Sequence, residues 1–120
     1  ANPFNQTIPS GGQVMYDPGG ETAEPFGVSC SIHPWMSANM LVRNNPCFAV
    51  TKPDGSFEIP NVPAGVELEF RVWQEKARFI PKITLGGERN EKFKGRVKVK
   101  LADGETHTID AVVDAADLPK

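Results

Sequence analysis

Val66-Glu67-Leu68-Glu69-Phe70-Arg71-Val72-Trp73-Gln74, VELEFRVWQ, is the stretch whose reading decides the fold. Val66, Leu68, Phe70 and Val72 alternate with Glu67, Glu69, Arg71 and Trp73. Successive strand side chains point to opposite faces, so a period of two marks a strand with one face on a core and the other in solvent. The first set is expected to face the core. Residues 96–101, RVKVKL, repeat the pattern, with Val97, Val99 and Leu101 set against Arg96, Lys98 and Lys100. Arg71, Lys98 and Lys100 read as surface or edge charges that oppose aggregation between strands.

Turn signals stand on both sides of these runs. Asn44-Asn45-Pro46 breaks LVRNNPCFAVT, because proline presets φ and asparagine tolerates left-handed geometry. Pro53-Asp54-Gly55 separates Phe48-Ala49-Val50 from Phe57-Glu58-Ile59, and Asp103-Gly104 follows Leu101. Asp-Gly between alternating runs is a strong hairpin signal. Pro63-Ala64-Gly65 supplies another turn. Strands are predicted near residues 26–30, 38–43, 47–51, 56–60, 66–74, 79–84, 95–102 and 105–113, and turn signals at this spacing define an all-β protein, a single antiparallel β-sandwich with little or no helix. Residues 86–94, GGERNEKFK, carry little hydrophobic pattern and are predicted to be the most mobile loop. Residues 1–24 are rich in Gly, Pro and Asn and are predicted as an irregular wrap around a sandwich of residues 25–113, with 114–120 as a frayed tail.

The totals agree with this reading. The 120 residues form one domain, a length that buries roughly two thirds of the unfolded chain's surface. Eleven Gly and eleven Pro favour short strands and turns over helices. Thirteen Lys and Arg against fifteen Asp and Glu give a net charge of -2 and no basic stripe, which argues against a nucleic-acid partner. No apolar run reaches the roughly 18 residues of a membrane span, and ANPFNQTIPSGG has no signal-peptide pattern.

Cys30-Ser-Ile-His33-Pro-Trp-Met36, CSIHPWM, holds the chemistry. A blue-copper centre uses one thiolate, two imidazoles and a long axial thioether. Cys30, His33 and Met36 supply three of those donors in one short loop, and His107, in THTIDAVV, is the remaining histidine. It shares strand parity with Ile109, Ala111 and Val113. Cys30 and Cys47 leave three readings open: a metal thiolate, a disulfide, or two buried thiols. A Cys30–Cys47 bridge would be worth about 3 kcal/mol and excludes copper, since a disulfide sulfur is no thiolate. In the metal-free reading Cys30 is a small buried hydrophobe, and Pro34-Trp35-Met36 plugs one end of the sandwich.

Residues 26–76, from Cys30-x-Ile-His-Pro-Trp-Met through Ala49-Val50-Thr51, Asp54-Gly55-Ser56-Phe57 and Asn61-Val62-Pro63-Ala64-Gly65, resemble bacterial cupredoxin-like proteins with a CxIHPWM signature followed by a carboxypeptidase-regulatory-like segment. The opening NPFNQTIPSGG resembles them more weakly. The resemblance implies an exported protein, periplasmic or extracellular, with a Greek-key sandwich of cupredoxin-like or transthyretin-like topology. Proteins of this kind are mostly of unproven function, so the expectation of copper as cofactor, with a redox or structural protein as partner, comes from the donors of the CSIHPWM loop. Three departures stand out: Gln74 occupies the place of an expected His in Trp73-Gln74-Glu75, Cys47 replaces an aromatic after the turn proline, and the upstream His of such relatives lies before Ala1.

Two expectations of different class follow: a copper-binding module, with electron transfer as its use, or a metal-free structural or interaction domain of an exported protein. Trp35 and Trp73 read first as packing residues, and as a sugar or partner platform second. Glu67 and Glu69 form a solvated row with no third group to mark acid and base roles, and no nucleophile or phosphate-loop motif occurs, so an enzyme is not expected.

Overall fold

The computed structural model describes residues 1–90 and 94–120. Its strands are β1 (Phe26–Ser29), β2 (Ser37–Met40), β3 (Glu67–Phe70), β4 (Trp73–Gln74), β5 (Arg78–Phe79), β6 (Ile83–Leu85), β7 (Glu88–Asn90), β8 (Val97–Lys100) and β9 (Ala111–Val112). One 3-10 turn, Ala115–Asp117, is added, and the described residues contain no α-helix. The protein is therefore mostly β. Among the described residues every pairing is antiparallel, in small sheets of order β1-β2, β3-β8, β4-β5 and β7-β6-β9. The chain divides into two compact units, Ala1–Pro60 and Asn61–Lys120.

In the first unit, β1 and β2 form a hairpin with Phe26 opposite Met40 and Ser29 opposite Ser37. That register puts Phe26, Val28, Ala38 and Met40 on one face. Residues 1–24 contain no strand and supply part of its cover. Tyr16 sits 6.4 Å from the Phe26 ring and packs edge-on against Phe4 at 5.2 Å, while its hydroxyl donates to the Asn2 carbonyl at 2.8 Å. The predicted strand 38–43 stops at Met40 because Val42 turns to the N-terminal segment instead. Thr22 N–H donates to Val42 O at 2.9 Å, Val42 N–H donates to Thr22 Oγ1 at 3.2 Å, and Arg43 pairs with Glu21 at 2.8 Å.

Thr22 is buried, so its hydroxyl is the partner that lets the Val42 amide leave water. Thr22→Val keeps the shape and strands that amide, at an expected cost of about 1–3 kcal/mol. Denaturant unfolding of the full chain measures it; an unchanged midpoint would show that the N-terminal segment is not anchored there.

The predicted strands 47–51 and 56–60 do not form, although the turn between them does. Gly55 N–H donates to Lys52 O and Lys52 N–H to Ser56 O, both at 2.8 Å. Asp54 Oδ1 accepts from the Ser56 hydroxyl at 2.7 Å and the Ser56 N–H at 2.9 Å, and these bonds hold its carboxyl below the ordinary value. Their contribution to the turn is present above the ordinary carboxylate range and is lost as pH falls through the lowered value. Phe48, Val50 and Phe57 are exposed on the flanks. A hairpin with no third element on its apolar face is marginal, which explains a turn without a ladder.

In the second unit the charge pattern behaves as read. Leu68 and Phe70 are half-buried between exposed Glu67 and Glu69, and Val97 and Val99 between exposed Lys98 and Lys100. Lys98 reaches Glu67 at 3.1 Å and Arg96 reaches Glu69 at 3.7 Å on the solvent face, diagonal pairs each worth ~0–1 kcal/mol. The run 66–74 nevertheless breaks after Phe70. Val72 O accepts from Ile80 N–H at 2.9 Å, and Trp73 pairs with Phe79 in a second hairpin. Parity shifts with the new partner, so that Val72 is exposed and Trp73 half-buried; Val66, ahead of β3, is also exposed. Ile80 and Ile83, 4 % and 1 % exposed, are the buried apolar core among the described residues.

Asp103-Gly104 also turns without making a hairpin. Glu105 N–H donates to Ala102 O at 3.1 Å, but β8 pairs with β3 and β9 pairs with β6, so residues 105–110 form no strand. Of the segment 86–94 predicted as the most mobile loop, residues 88–90 are β7 on the edge of β6, and 91–93 lie outside the described residues. The tail carries structure where fraying was expected: Asp114 caps the 3-10 turn through Ala116 N–H, and Asp117 meets Arg89 at 2.7 Å and Lys82 at 3.7 Å.

Candidate metal centre

The β1-β2 hairpin determines where the CSIHPWM donors lie. One rung beyond Ser29 and Ser37, Cys30 N–H donates to Met36 O at 3.0 Å, closing the loop at its stem. Met36 N–H donates to His33 O at 2.9 Å, making a tight turn with Pro34 and Trp35 at its centre. Proline is favoured at the first central position because its φ is already set. The loop thus has a specified backbone even though it is exposed.

Within it, His33 N–H donates to Cys30 Sγ at 3.3 Å, and His33 Nδ1 lies 3.9 Å from the same sulfur. The sulfur thus has both the backbone and the imidazole of His33 beside it. Trp35 stands beside the imidazole, ring centroids 5.2 Å apart at 50°. Cys30 is half-buried; Ile32, Trp35 and Met36 are 71 %, 78 % and 54 % exposed. The reading of Pro34-Trp35-Met36 as a plug for the sandwich end is not what this loop shows: its apolar side chains face solvent.

The remaining candidates are Cys47 in the same unit and His107, Trp73 and Gln74 in the second. Cys47 is half-buried, its N–H donating to Asn45 Oδ1 at 3.1 Å, and Cys30 and Cys47 are both free. His107 belongs to the second unit, exposed and outside any strand, while Ile109 is half-buried. Trp73 is half-buried in β4 beneath the Arg78 guanidinium, 5.3 Å from the ring, with no hydrogen-bond partner for Nε1 among the described residues. Gln74 Oε1 accepts from Lys76 N–H at 2.8 Å and Ala77 N–H at 2.9 Å, capping the β4-β5 turn. Gln74 therefore has a local structural task at the position where a histidine was expected. Among the described residues no group of three or more His, Cys, Asp and Glu is placed to hold a metal ion, and methionine is outside that set. A cleft of about 360 Å³ between residues 61–64 and 101–105 offers Asp103 and Glu105, but Glu105 Oε2 is engaged by Ala102 N–H at 2.7 Å.

Two features escaped the sequence reading. The His33 amide on the Cys30 sulfur has no signature in residue type, since every residue but proline carries an N–H. The Asp114 cap did have one, an Asp ahead of a short Ala-rich turn.

No helix among the described residues is long and apolar enough to cross a membrane. No protein-family model matches the chain, and neither the curated proteins nor the solved structures contain a match.

Proposed function

We propose that this protein is a copper-binding module whose donors are Cys30 Sγ, His33 Nδ1 and the Met36 thioether. The observation that supports it is the approach of Cys30 Sγ and His33 Nδ1 to 3.9 Å in a hairpin loop closed by backbone hydrogen bonds. Thiolate, imidazole and thioether together form a soft donor set of the kind copper prefers. The CxIHPWM resemblance points the same way, and carries with it a single Greek-key sandwich and an exported, periplasmic or extracellular protein. Bound copper would supply a redox-active or transferable ion; the chain's own task is to hold a soft donor pair at fixed spacing.

Equilibrium dialysis of freshly reduced protein against copper tests the proposal. One equivalent retained by the wild type and lost by Cys30→Ser supports it, whereas equal retention by both overturns it.

A second reading has its own observation. Ile32, Trp35 and Met36 are exposed on one hairpin tip, as in a metal-free interaction domain. That reading gains if reduced protein retains no copper.

A further inference from the structure

The chain has two Asp-Gly steps, Asp54-Gly55 and Asp103-Gly104, and no Asn-Gly step. Asp-Gly is the aspartyl step most open to isomerisation of its own backbone, because glycine brings no side chain to shield its nitrogen from the neighbouring carboxyl. The reaction joins the glycine nitrogen to the aspartate side-chain carbonyl carbon, so it needs that nitrogen and that carboxyl both unengaged. The two steps are alike in residue type, in exposure and in their left-handed glycines, φ +83° at Gly55 and +73° at Gly104, and a Cβ at either glycine would meet nothing. Their hydrogen bonds separate them.

At Asp54-Gly55 both reacting groups are engaged. Gly55 N–H donates to Lys52 O at 2.8 Å, and Asp54 Oδ1 accepts from the Ser56 hydroxyl at 2.7 Å and the Ser56 N–H at 2.9 Å. An aspartate bonded to the backbone two residues on is held in one orientation. The same bonds keep the carboxyl below its ordinary value, so less of it carries the hydroxyl that must leave as water. At Asp103-Gly104 the turn is closed by its flanking residues instead. Glu105 N–H donates to Ala102 O at 3.1 Å, and Glu105 Oε2 accepts from Ala102 N–H at 2.7 Å. These bonds span the step and use neither of its reacting groups. Among the described residues the Asp103 carboxylate and the Gly104 N–H have no hydrogen-bond partner.

We propose that Asp103-Gly104 is a site of spontaneous conversion to isoaspartate, and that the folded turn at Asp54-Gly55 spares the other step. Gly104 N attacks the Asp103 side-chain carbon, the carboxyl hydroxyl leaves as water with the amide proton, and a cyclic succinimide closes. Water then adds at either carbonyl. At the former side-chain carbon it restores aspartate; at the Asp103 main-chain carbon it leaves the chain running through the side chain, as isoaspartate. One water leaves and one returns, and nothing is oxidised or reduced. The new backbone is one methylene longer, inside a turn that Ala102 and Glu105 close and that lines the cleft between residues 61–64 and 101–105.

The experiment ages the full chain at neutral pH, digests it and reads isoaspartate at each step by electron-transfer fragmentation, beside a sample kept in urea throughout. Native protein is expected to isomerise at Asp103 about 10-fold or more faster than at Asp54, where hydrogen bonds of ordinary strength must first be broken. In urea those bonds are gone and the two rates converge. Ser56→Ala, which removes the hydroxyl bond, raises the native rate at Asp54 and leaves the rate at Asp103 as it was. Equal native rates, or a faster reaction at Asp54, overturn the inference. A difference that survives in urea also overturns it, since it would belong to the neighbouring residue types and not to the fold. An unchanged Asp54 rate in Ser56→Ala does the same, since the hydrogen bonds would not be the cause.

Discussion

Cys30→Ser is expected to weaken copper binding by about 100-fold or more while leaving the unfolding midpoint in place, since even loss of a partner that merely orients a ligand costs roughly 10- to 100-fold. Serine changes one atom. Its hydroxyl oxygen can accept the His33 N–H that Cys30 Sγ now accepts at 3.3 Å, and the stem and turn are closed by backbone groups of Cys30, His33 and Met36 that the substitution leaves alone. The loop therefore keeps its form and loses only its polarisable sulfur, the donor that selects soft metals. Competition titration reads the affinity and denaturant unfolding the stability. A fall in both would mark Cys30 as a packing residue; a fall in neither would remove copper from the hairpin.

The largest effect on stability is expected at Gly95. Gly95 and Gly104 have nearly the same backbone, φ +71° and +73°, so alanine at either meets the same left-handed strain, about 1–2 kcal/mol. What differs is the space. A Cβ on Gly104 meets nothing, whereas a Cβ on Gly95 would overlap the Ile80 carbonyl oxygen. That backbone is not free to yield, because Ile80 N–H is bonded to Val72 O at 2.9 Å and its side chain is buried. Gly95→Ala should cost about 3 kcal/mol or more, and Gly104→Ala about 1–2 kcal/mol. Chemical denaturation of the two variants side by side isolates the contact, and equal losses would mean that Gly95 does not stand against Ile80.

The legible part of the fold was the part governed by local alternation. Glu67 to Phe70 and Val97 to Lys100 each show polar and apolar faces in the residues themselves, and they became paired strands. Strand ends were less legible, because they depend on partners distant in sequence. Val72 pairs with Ile80 and shifts the parity of Trp73, and Val42 pairs with Thr22 and ends β2. The turns at Asp54-Gly55 and Asp103-Gly104 were correctly placed, since turn chemistry is local. The hairpins expected across them were not, since a ladder also needs apolar cover that the turn does not specify. The candidate site follows the same division. Cys30, His33 and Met36 were visible as a string, and the hairpin brings the first two within 3.9 Å. His107, in the second unit, was linked to them by residue type and strand parity, and the strand expected at residues 105–110 does not form.

Copper K-edge X-ray absorption of the protein loaded with one equivalent of Cu(I), compared with Cys30→Ser treated identically, tests the central claim most directly. The account predicts a sulfur scatterer together with an imidazole nitrogen in the first shell, both lost from the variant's spectrum. A first shell of nitrogen and oxygen alone, the same in both proteins, would contradict it and place the copper away from the hairpin.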